Sequence, residues 1–442
     1  MPSLVVPANA PQAVSDFSPQ MVGRNCTLET NYKKVSPIKP FSITGEFIAF
    51  TSPDSTYAAT AKLINNAKKE IIIGIYDFTA QYMKELLLNA MQRKVKVSLM
   101  LDIDSKDEQK IFDELEQFGC KSVPAPSCAS KVINYFPSSH EKVIVIDGTW
   151  VIVQSGNYSS NSIPFNEMDG GDPKNFKKGN RDMGVAINSK PLADFFAKVL
   201  KKDMKLQLDA EAAQSVAEIF SDTPFLVEAL PRQIPKKLFP SKSFNPSKKI
   251  SVTPVLSPEN YMSVVPDLLM NAKKSIYIEN QYIRGTQPQV SKLLEAIKSA
   301  VDANPGLSVQ IILGKLFDAK AVEKEKANIA HIKKTFGLAL GKNIRFINTS
   351  LFVHCHNKLI IVDNKTVLIS SQNWSDSAVS KNREAGVIIE YPELTKYYTG
   401  IFNYDWETAQ KKIPTVGKPT IAQESVAKGT FIKVSPADYE EV

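Results

Sequence analysis

Three blocks of this chain occur twice, in the same order. Asn66-Ala67-Lys68-Lys69 leads into the apolar run from Ile71 to Phe78, and Asn271-Ala272-Lys273-Lys274 leads into the run from Ser275 to Ile283. His140 to Asn157 matches His356 to Asn373, and Asn180 to Val185 matches Asn382 to Val387. The offsets are 205, 216 and 202 positions. Constant order with slightly different offsets means one duplicated unit whose copies carry different insertions.

Each copy has the same rhythm of elements. Helical periodicity over Ala59–Ala67 and Met262–Ala272 gives way to strands at Ile71–Tyr76 and Ile276–Tyr282. Helices at Gln81–Gln92 and Gln289–Val301 precede strands at Lys96–Leu101 and Ser308–Leu313. Helices at Glu108–Phe118 and Ala319–Phe336 then lead to the histidine-bearing strand pairs. Strands alternating with helices of this length predict βαβ units and a mixed, largely buried sheet in each half of an α/β protein. The expected organisation is an extended segment over 1–40, a first half over 41–215, a linker over 216–250, a second half over 251–412 and a tail over 413–442. The linker reading rests on Pro224, Pro231, Pro235, Pro240 and Pro246, because prolines at that density prevent a regular helix. The lysines among them are read as a solvated stretch.

Composition narrows the partners. Lys and Arg outnumber Asp and Glu by 54 to 46, which favours anionic partners such as a phospholipid surface or nucleic acid. No apolar run approaches the ~18–20 residues of a spanning helix. The first seventeen residues hold no Lys or Arg, so a secretory signal is not expected, and a cytoplasmic or peripheral membrane location is. The four cysteines, Cys26, Cys120, Cys128 and Cys355, are expected as free thiols, with Cys120–Cys128 the alternative pairing.

Two of the four histidines, His140 and His356, occupy matching places in the repeat, each followed by Lys at i+2 (Lys142, Lys358). In a strand, i and i+2 share a face, so each imidazole stands beside an ammonium group. Four apolar residues later come Asp147-Gly148 and Asp363-Asn364, which read as hairpin turns. A turn with two central residues sets His140 opposite Ser155 and His356 opposite Ser371, with Asn157 and Asn373 on the same face. Asp147 and Asp363 then lie at the far end as structural turn formers.

Such a cluster suits phosphoryl chemistry. Neutral imidazole is a nucleophile and a proton shuttle near neutral pH. Lys, Ser and Asn donate to phosphate oxygens, so Lys142, Lys358, Ser155, Asn157, Ser371 and Asn373 are expected to bind phosphate. Asp182 and Glu384 follow the two clusters at matching positions, and a carboxylate on one imidazole nitrogen fixes the tautomer and basicity of the other. No carboxylate cluster with metal-ligand spacing accompanies them, so neither a metal nor another cofactor is expected.

These residues resemble the phospholipase D superfamily signature, His-x-Lys-x4-Asp-x6-Gly-Ser-x-Asn, present twice. Both copies depart from it at the Gly, with Gln154 and Ser370 in its place. The resemblance covers roughly 55–205 and 255–410. It implies two α/β/α halves with mixed sheets packed about a pseudo-twofold axis, the active site at the seam. It also implies metal-independent, two-step phosphodiester exchange through a covalent phosphohistidine, with His140 as nucleophile and His356 as acid and base. Asp182 and Glu384 match the family's acidic residues behind the histidines.

Substrate class stays open at this point. Glu279-Asn280-Gln281-Tyr282 looks like a stretch of phospholipid-cleaving members, and Tyr76-Asp77-Phe78-Thr79 like the smaller nuclease-type members. The expected activity is transfer or hydrolysis at a phospholipid head group. A DNA or RNA endonuclease is the alternative, and a catalytically inactive binding protein the second. Candidate substrate contacts are Glu279, Gln281, Tyr158, Trp374 and His354; His331 is read as a surface residue. No obligate protein partner is expected, and a monomer suffices because one chain supplies both clusters. The first copy carries 14 more residues than the second between its Asn and the next repeated block, around Pro164 to Gly179, and these are expected to form a lid or substrate-selecting loop.

Overall fold

The structure is a computed structural model and describes residues 26–130, 132–165, 179–212 and 238–414. After the short strand β1 (Phe41–Ile43), the first half runs β2 (Phe47–Ser52), α1 (Thr56–Asn66), β3 (Glu70–Ile75), α2 (Gln81–Gln92), β4 (Lys96–Leu101), α3 (Lys106–Gln117) and β5 (Lys121–Pro124). It closes with β6 (Val143–Ile146), β7 (Trp150–Gln154), β8 (Asp182–Asn188) and the long helix α4 (Lys190–Ala212). After β9 (Lys242–Phe244), the second half runs β10 (Ile250–Ser257), α5 (Tyr261–Met270), β11 (Ser275–Asn280), α6 (Pro288–Ala303), β12 (Ser308–Leu313), α7 (Ala319–Phe336) and β13 (Ile344–Phe346). It ends in β14 (Lys358–Val362), β15 (Thr366–Ser370), α8 (Asp376–Ser380), β16 (Glu384–Glu390) and α9 (Pro392–Thr408).

The two sheets have one topology. The first has strand order β5-β4-β3-β6-β7-β8-β2-β9 and the second β13-β12-β11-β14-β15-β16-β10-β1. In each, three strands linked by crossover helices are parallel and the rest are antiparallel. The outermost strands are exchanged. β1 precedes the first half yet pairs with β10 of the second, Phe41 facing Val252. β9 lies in the segment read as linker, precedes the second half and pairs with β2 of the first, Phe47 facing Phe244.

Three apolar layers follow from the alternation of inward residues. One face of the first sheet packs on α1–α3 through Ile64, Leu87 and Ile111. The matching face of the second packs on α5–α7 through Leu269, Leu294 and Ile332. The remaining faces meet in a shared core, where Val143, Val153 and Val185 join Leu359, Ile369 and Val387, with α4 and α9 adding Phe196 and Tyr398. The layers and the duplicated α/β fold are therefore as the repeat predicts. Helix ends obey local rules: Ser105 and Glu108 form a reciprocal cap on α3, and α7 stops at Gly337, whose φ of 76° is left-handed.

The hairpins differ from expectation by one residue. Asp147 and Gly148 do form the centre of the turn, both with positive φ, and the Thr149 N–H closes it on the Ile146 carbonyl at 3.1 Å. The ladder then pairs Ile146 with Trp150, leaving Thr149 as an extra residue, and Val362 pairs with Thr366 in the second copy. Each Asp also does more than turn the chain. The Asp147 carboxylate accepts the N–H groups of Lys68, Lys69 and Glu70 at 2.7–3.1 Å, and Asp363 does the same for Lys273, Lys274 and Ser275. The repeated Asn-Ala-Lys-Lys block and the repeated Asp are thus two sides of one contact.

The cysteines also depart from expectation. Cys26 and Cys128 form a disulfide, while Cys120 and Cys355 are buried thiols. The N-terminal segment returns to the first half, where the Glu29 N–H also bonds the Asn134 carbonyl at 2.7 Å.

Two buried arginines cross the seam. Arg181 pairs with Asp54 at 3.2 Å and with Asp405 of α9 at 2.7 Å. Arg383 pairs with Asp203 of α4 and with Glu259, both at 2.7 Å. Each guanidinium also lies over a ring from the opposite half, Arg181 on Phe352 at 4.4 Å and Arg383 on Phe136 at 4.6 Å. Replacing Arg181 by Met leaves two buried carboxylates without a counter-charge. We expect a loss of ~3–5 kcal/mol, read as a lower urea midpoint. A change under about 1 kcal/mol would show that the clamp is not structural.

Candidate active site

His140, Lys142 and His356 reach the seam from the loops that precede β6 and β14, and Lys358 opens β14. Each loop is held by the opposite half. The His140 N–H donates to the Arg383 carbonyl at 2.7 Å, and the His356 N–H to the Arg181 carbonyl at 3.1 Å. Asp102, at the end of β4, steadies the first loop by accepting the Ser139 N–H at 2.6 Å. All four side chains are buried, with exposures of 3% or less.

The carboxylates behind the histidines are exchanged between halves. His140 Nδ1 lies 2.9 Å from Glu384 Oε2, and His356 Nδ1 lies 3.0 Å from Asp182 Oδ1. A carboxylate at Nδ1 favours the Nδ1–H tautomer and leaves the Nε2 lone pair for chemistry. Each carboxylate is supported in turn. The Ser155 hydroxyl donates to Asp182 at 2.7 Å, and the Ser371 hydroxyl donates to Glu384. The same oxygens accept backbone N–H groups, Met183 for Ser155 and Ala385 for Ser371, both at 3.0 Å. Each hydroxyl proton is thereby engaged inside the protein, so the phosphate-binding role expected of the two serines does not hold. They orient the carboxylates instead.

The asparagines remain suited to an anion. Asn157 is fully buried and neither end of its amide has a partner. Asn373 is 5% exposed and its Oδ1 has none. Lys142 Nζ donates to the His140 carbonyl at 2.6 Å and sits 5.0 Å above the Tyr76 ring, whose edge also meets the His140 imidazole. Lys358 Nζ donates to the His356 carbonyl in the same way.

Burial and the neighbouring lysines set the protonation states. Burial drives the His140 pKa well below 6.5, and Lys142, Lys358 and His356 push it further. Burial and then Lys358 lower His356 to about 4, against the pull of Asp182. Burial and Lys358 also bring Lys142 down to about 7. Asp182 resists burial because His356 and Lys358 hold it ionised, below the usual carboxylate range.

The Gly missing from each motif has moved across the ladder. Gln154 faces Gly184, and Ser370 faces Gly386. A Cβ on Gly184 would stand 2.9 Å from that of Gln154, and one on Gly386 would stand 2.6 Å from that of Ser370. The opposing glycine therefore supplies the room that the larger side chain takes.

Of the candidate substrate contacts, Trp374 and Tyr158 are fully buried in the outer cores. Trp374 bonds the Tyr261 hydroxyl at 3.0 Å, and the Tyr158 ring packs on Phe78 at 5.2 Å. Glu279 is also fully buried, bonded to Asn357 at 2.8 Å and close to the Asp405–Arg181 pair. Gln281 is 5% exposed and lies at the end of β11. His354 is 1% exposed, its ring 6.4 Å from that of His356. His331 is half-buried on α7 against Phe336. The expected lid falls largely on residues 166–178, outside the described residues.

Sequence reasoning missed Tyr76 as a site residue, and it missed the clamp acids. A signal existed for both. Tyr76 occupies the repeat position of Gln281. Asp54 and Glu259 each follow Ser-Pro at the offset of the Asn-Ala-Lys-Lys block, and Asp203 and Asp405 share the offset of Arg181 and Arg383.

Comparison with known proteins points to one family. A family model described as "Cardiolipin synthase, PLD-like domain" matches residues 60–204 and again 265–406. A segment of 57 residues is 37% identical to a mitochondrial cardiolipin hydrolase from Danio rerio, covering 13% of this chain and 25% of that protein. The chain thus spans only about a quarter of that relative. An uncharacterized protein from Helicobacter pylori is 22% identical over 76% of this chain and 74% of its own length. Among solved structures, phosphatidylserine synthase of Haemophilus influenzae superposes with a TM-score of 0.54 at 16% identity, covering 82% of this chain and 87% of that one. At that identity the likeness speaks for the fold.

Exchange of the carboxylates has a direct test. In a spectrum of 15N-histidine-labelled protein, Glu384→Gln should move the Nδ1–H signal of His140 and leave that of His356. Asp182→Asn should do the reverse, and each should cost roughly 10–100-fold in turnover. Perturbation of the histidine in the same half as the substitution would contradict the pairing.

Proposed function

The chain belongs to the phospholipase D-like family, and from that premise we propose that it transfers or hydrolyses the head group of a phospholipid through a covalent phosphohistidine. The observation that carries this reading is the pair of crossed Nδ1–carboxylate contacts, which turn the two Nε2 atoms to chemistry in one buried seam. His140 Nε2 attacks phosphorus, and the bond from phosphorus to the leaving alcohol breaks while His356 gives that oxygen a proton. Water or a second alcohol, giving its proton to His356, then attacks phosphorus and breaks the bond to His140. Lys142, Lys358 and the amides of Asn157 and Asn373 hold the non-bridging oxygens, whose charge grows as the transition state forms.

A lipid substrate is favoured over nucleic acid by the description of the matching family model and by the named cardiolipin hydrolase segment. Among the described residues no helix is long and apolar enough to cross a membrane, so we propose that the protein meets lipid from the aqueous side. The Cys26–Cys128 disulfide suits an oxidising compartment, which counts against the cytoplasmic expectation.

Mixed phospholipid vesicles, ethanol and EDTA form the deciding assay. Wild type should yield phosphatidylethanol and His140→Ala none. Absence of product, together with cleavage of single- or double-stranded DNA by wild type alone, would replace this reading with a nuclease.

The pH profile is a second test. The acid works only while His356 is protonated, and its pKa is lowered, so the alkaline limb moves to lower pH. Lys142 loses its charge through about pH 7 and weakens phosphate binding in the same direction. We expect kcat/KM to peak below pH 6.5 and to fall through neutrality. A plateau extending beyond pH 8 would contradict His356 as the acid and Lys142 as a phosphate-binding cation.

A further inference from the structure

His354 lies two residues before His356 and has no counterpart in the first copy, where Ser138 stands. Ser138 and the Ser139 N–H are both satisfied by Asp102, so that place is closed in the first half. In the second half the chain after β12 offers Gly314 and Lys315 instead. The Lys315 N–H donates to His354 Nδ1 at 2.8 Å. An imidazole that accepts at Nδ1 while neutral carries its proton on Nε2. Burial keeps this ring neutral, with the charges of His356 and Lys358 acting in the same direction. Its orientation is fixed on every side. Phe317 packs at 5.2 Å, and a Cβ on Gly314 would stand 2.2 Å from Cε1. The His354 carbonyl accepts the Arg181 N–H at 2.8 Å. Nε2 is buried and has no hydrogen-bond partner.

A rigid, buried N–H donor with no protein partner is costly unless something else accepts from it. The ring lies beside the histidine that handles the alcohol oxygen. We infer that His354 is a specificity-determining residue whose Nε2–H donates to a second oxygen on the alcohol that leaves or enters at His356. This rests on the proposed function, because it takes His356 as the acid and base. In the transfer step the alcohol oxygen attacks phosphorus, its proton passes to His356, and the bond from phosphorus to His140 breaks. His354 neither gains nor loses a proton; it selects acceptors carrying a hydroxyl beside the reacting one.

The test is a partition measurement, in which loss of folded protein cancels. Vesicles of phosphatidylcholine, phosphatidylethanolamine and cardiolipin are incubated with equal concentrations of isotopically labelled glycerol and ethanol. Wild type should favour labelled phosphatidylglycerol over phosphatidylethanol. His354→Leu should lower that product ratio about three- to tenfold, the scale of one lost hydrogen bond. His354→Gln, which keeps an N–H, should lower it less. An unchanged ratio in His354→Leu would overturn the inference. So would loss of all turnover in both variants, which would make His354 mere support for His356. Head-group release without transfer to either alcohol would overturn this inference alone, and failure of wild type to release any head group, by transfer or by hydrolysis, would overturn the proposed function with it.

Discussion

The two guanidinium clamps at the seam are the interaction on which the rest of the site depends. Arg181 and Arg383 immediately precede Asp182 and Glu384, and each is fixed by acids from both halves. Burying these charges carries a desolvation cost that only close pairing and further hydrogen bonds offset. The extra bonds are present: Arg181 also donates to the Ser52 carbonyl at 2.8 Å, and Arg383 to the Ser257 carbonyl at 3.0 Å. Tyr32, from the segment tied down by the disulfide, joins the Arg383 clamp. Fixing each Arg fixes the backbone that accepts the opposite His N–H and the next carboxylate along. The clamp thus sets the histidines through one residue of chain.

That construction explains why the chemistry sits between the halves. A histidine in one half takes its tautomer from a carboxylate in the other, and that carboxylate is braced by a serine of its own half. The exchanged strands β1 and β9 repeat the same logic at the sheet edges. Burial, and after it repulsion among the lysines and imidazoles, lowers the proton affinity of His140, Lys142 and His356. On the proposed function, a phosphodiester anion relieves that repulsion.

Much of this was legible in the sequence because a duplication makes local signals count twice. The element rhythm, the histidine–lysine pairs and the far position of Asp147 and Asp363 follow from spacing within one copy. Three things did not follow. The register slipped by one because nothing in Asp-Gly-Thr or Asp-Asn-Lys announces the extra residue after the turn. The serines were misplaced as a consequence of that register and because a hydroxyl suits a phosphate and a carboxylate equally well. The crossing of carboxylates was hidden because spacing reports distance along one copy, whereas this contact depends on how two copies pack. The disulfide was hidden for the same reason, with 102 residues separating its cysteines.

Duplication also leaves room for divergence, and the site uses it. On the proposed mechanism the residues that hold the phosphoryl group are kept in both copies, because a twofold arrangement of His, Lys and Asn matches a phosphate approached from two sides. On that mechanism the alcohol approaches from one side only, so nothing requires the flanking positions to stay alike. There the copies differ: Ser138 with Asp102 in one, His354 with Gly314 in the other. The middle residues of the two motifs diverge in the same manner. Glu141 lies over Gly74, while Asn357 bonds Glu279 at the matching strand position. Symmetric residues should then govern the phosphoryl step common to any substrate, and asymmetric ones should govern which alcohol is handled.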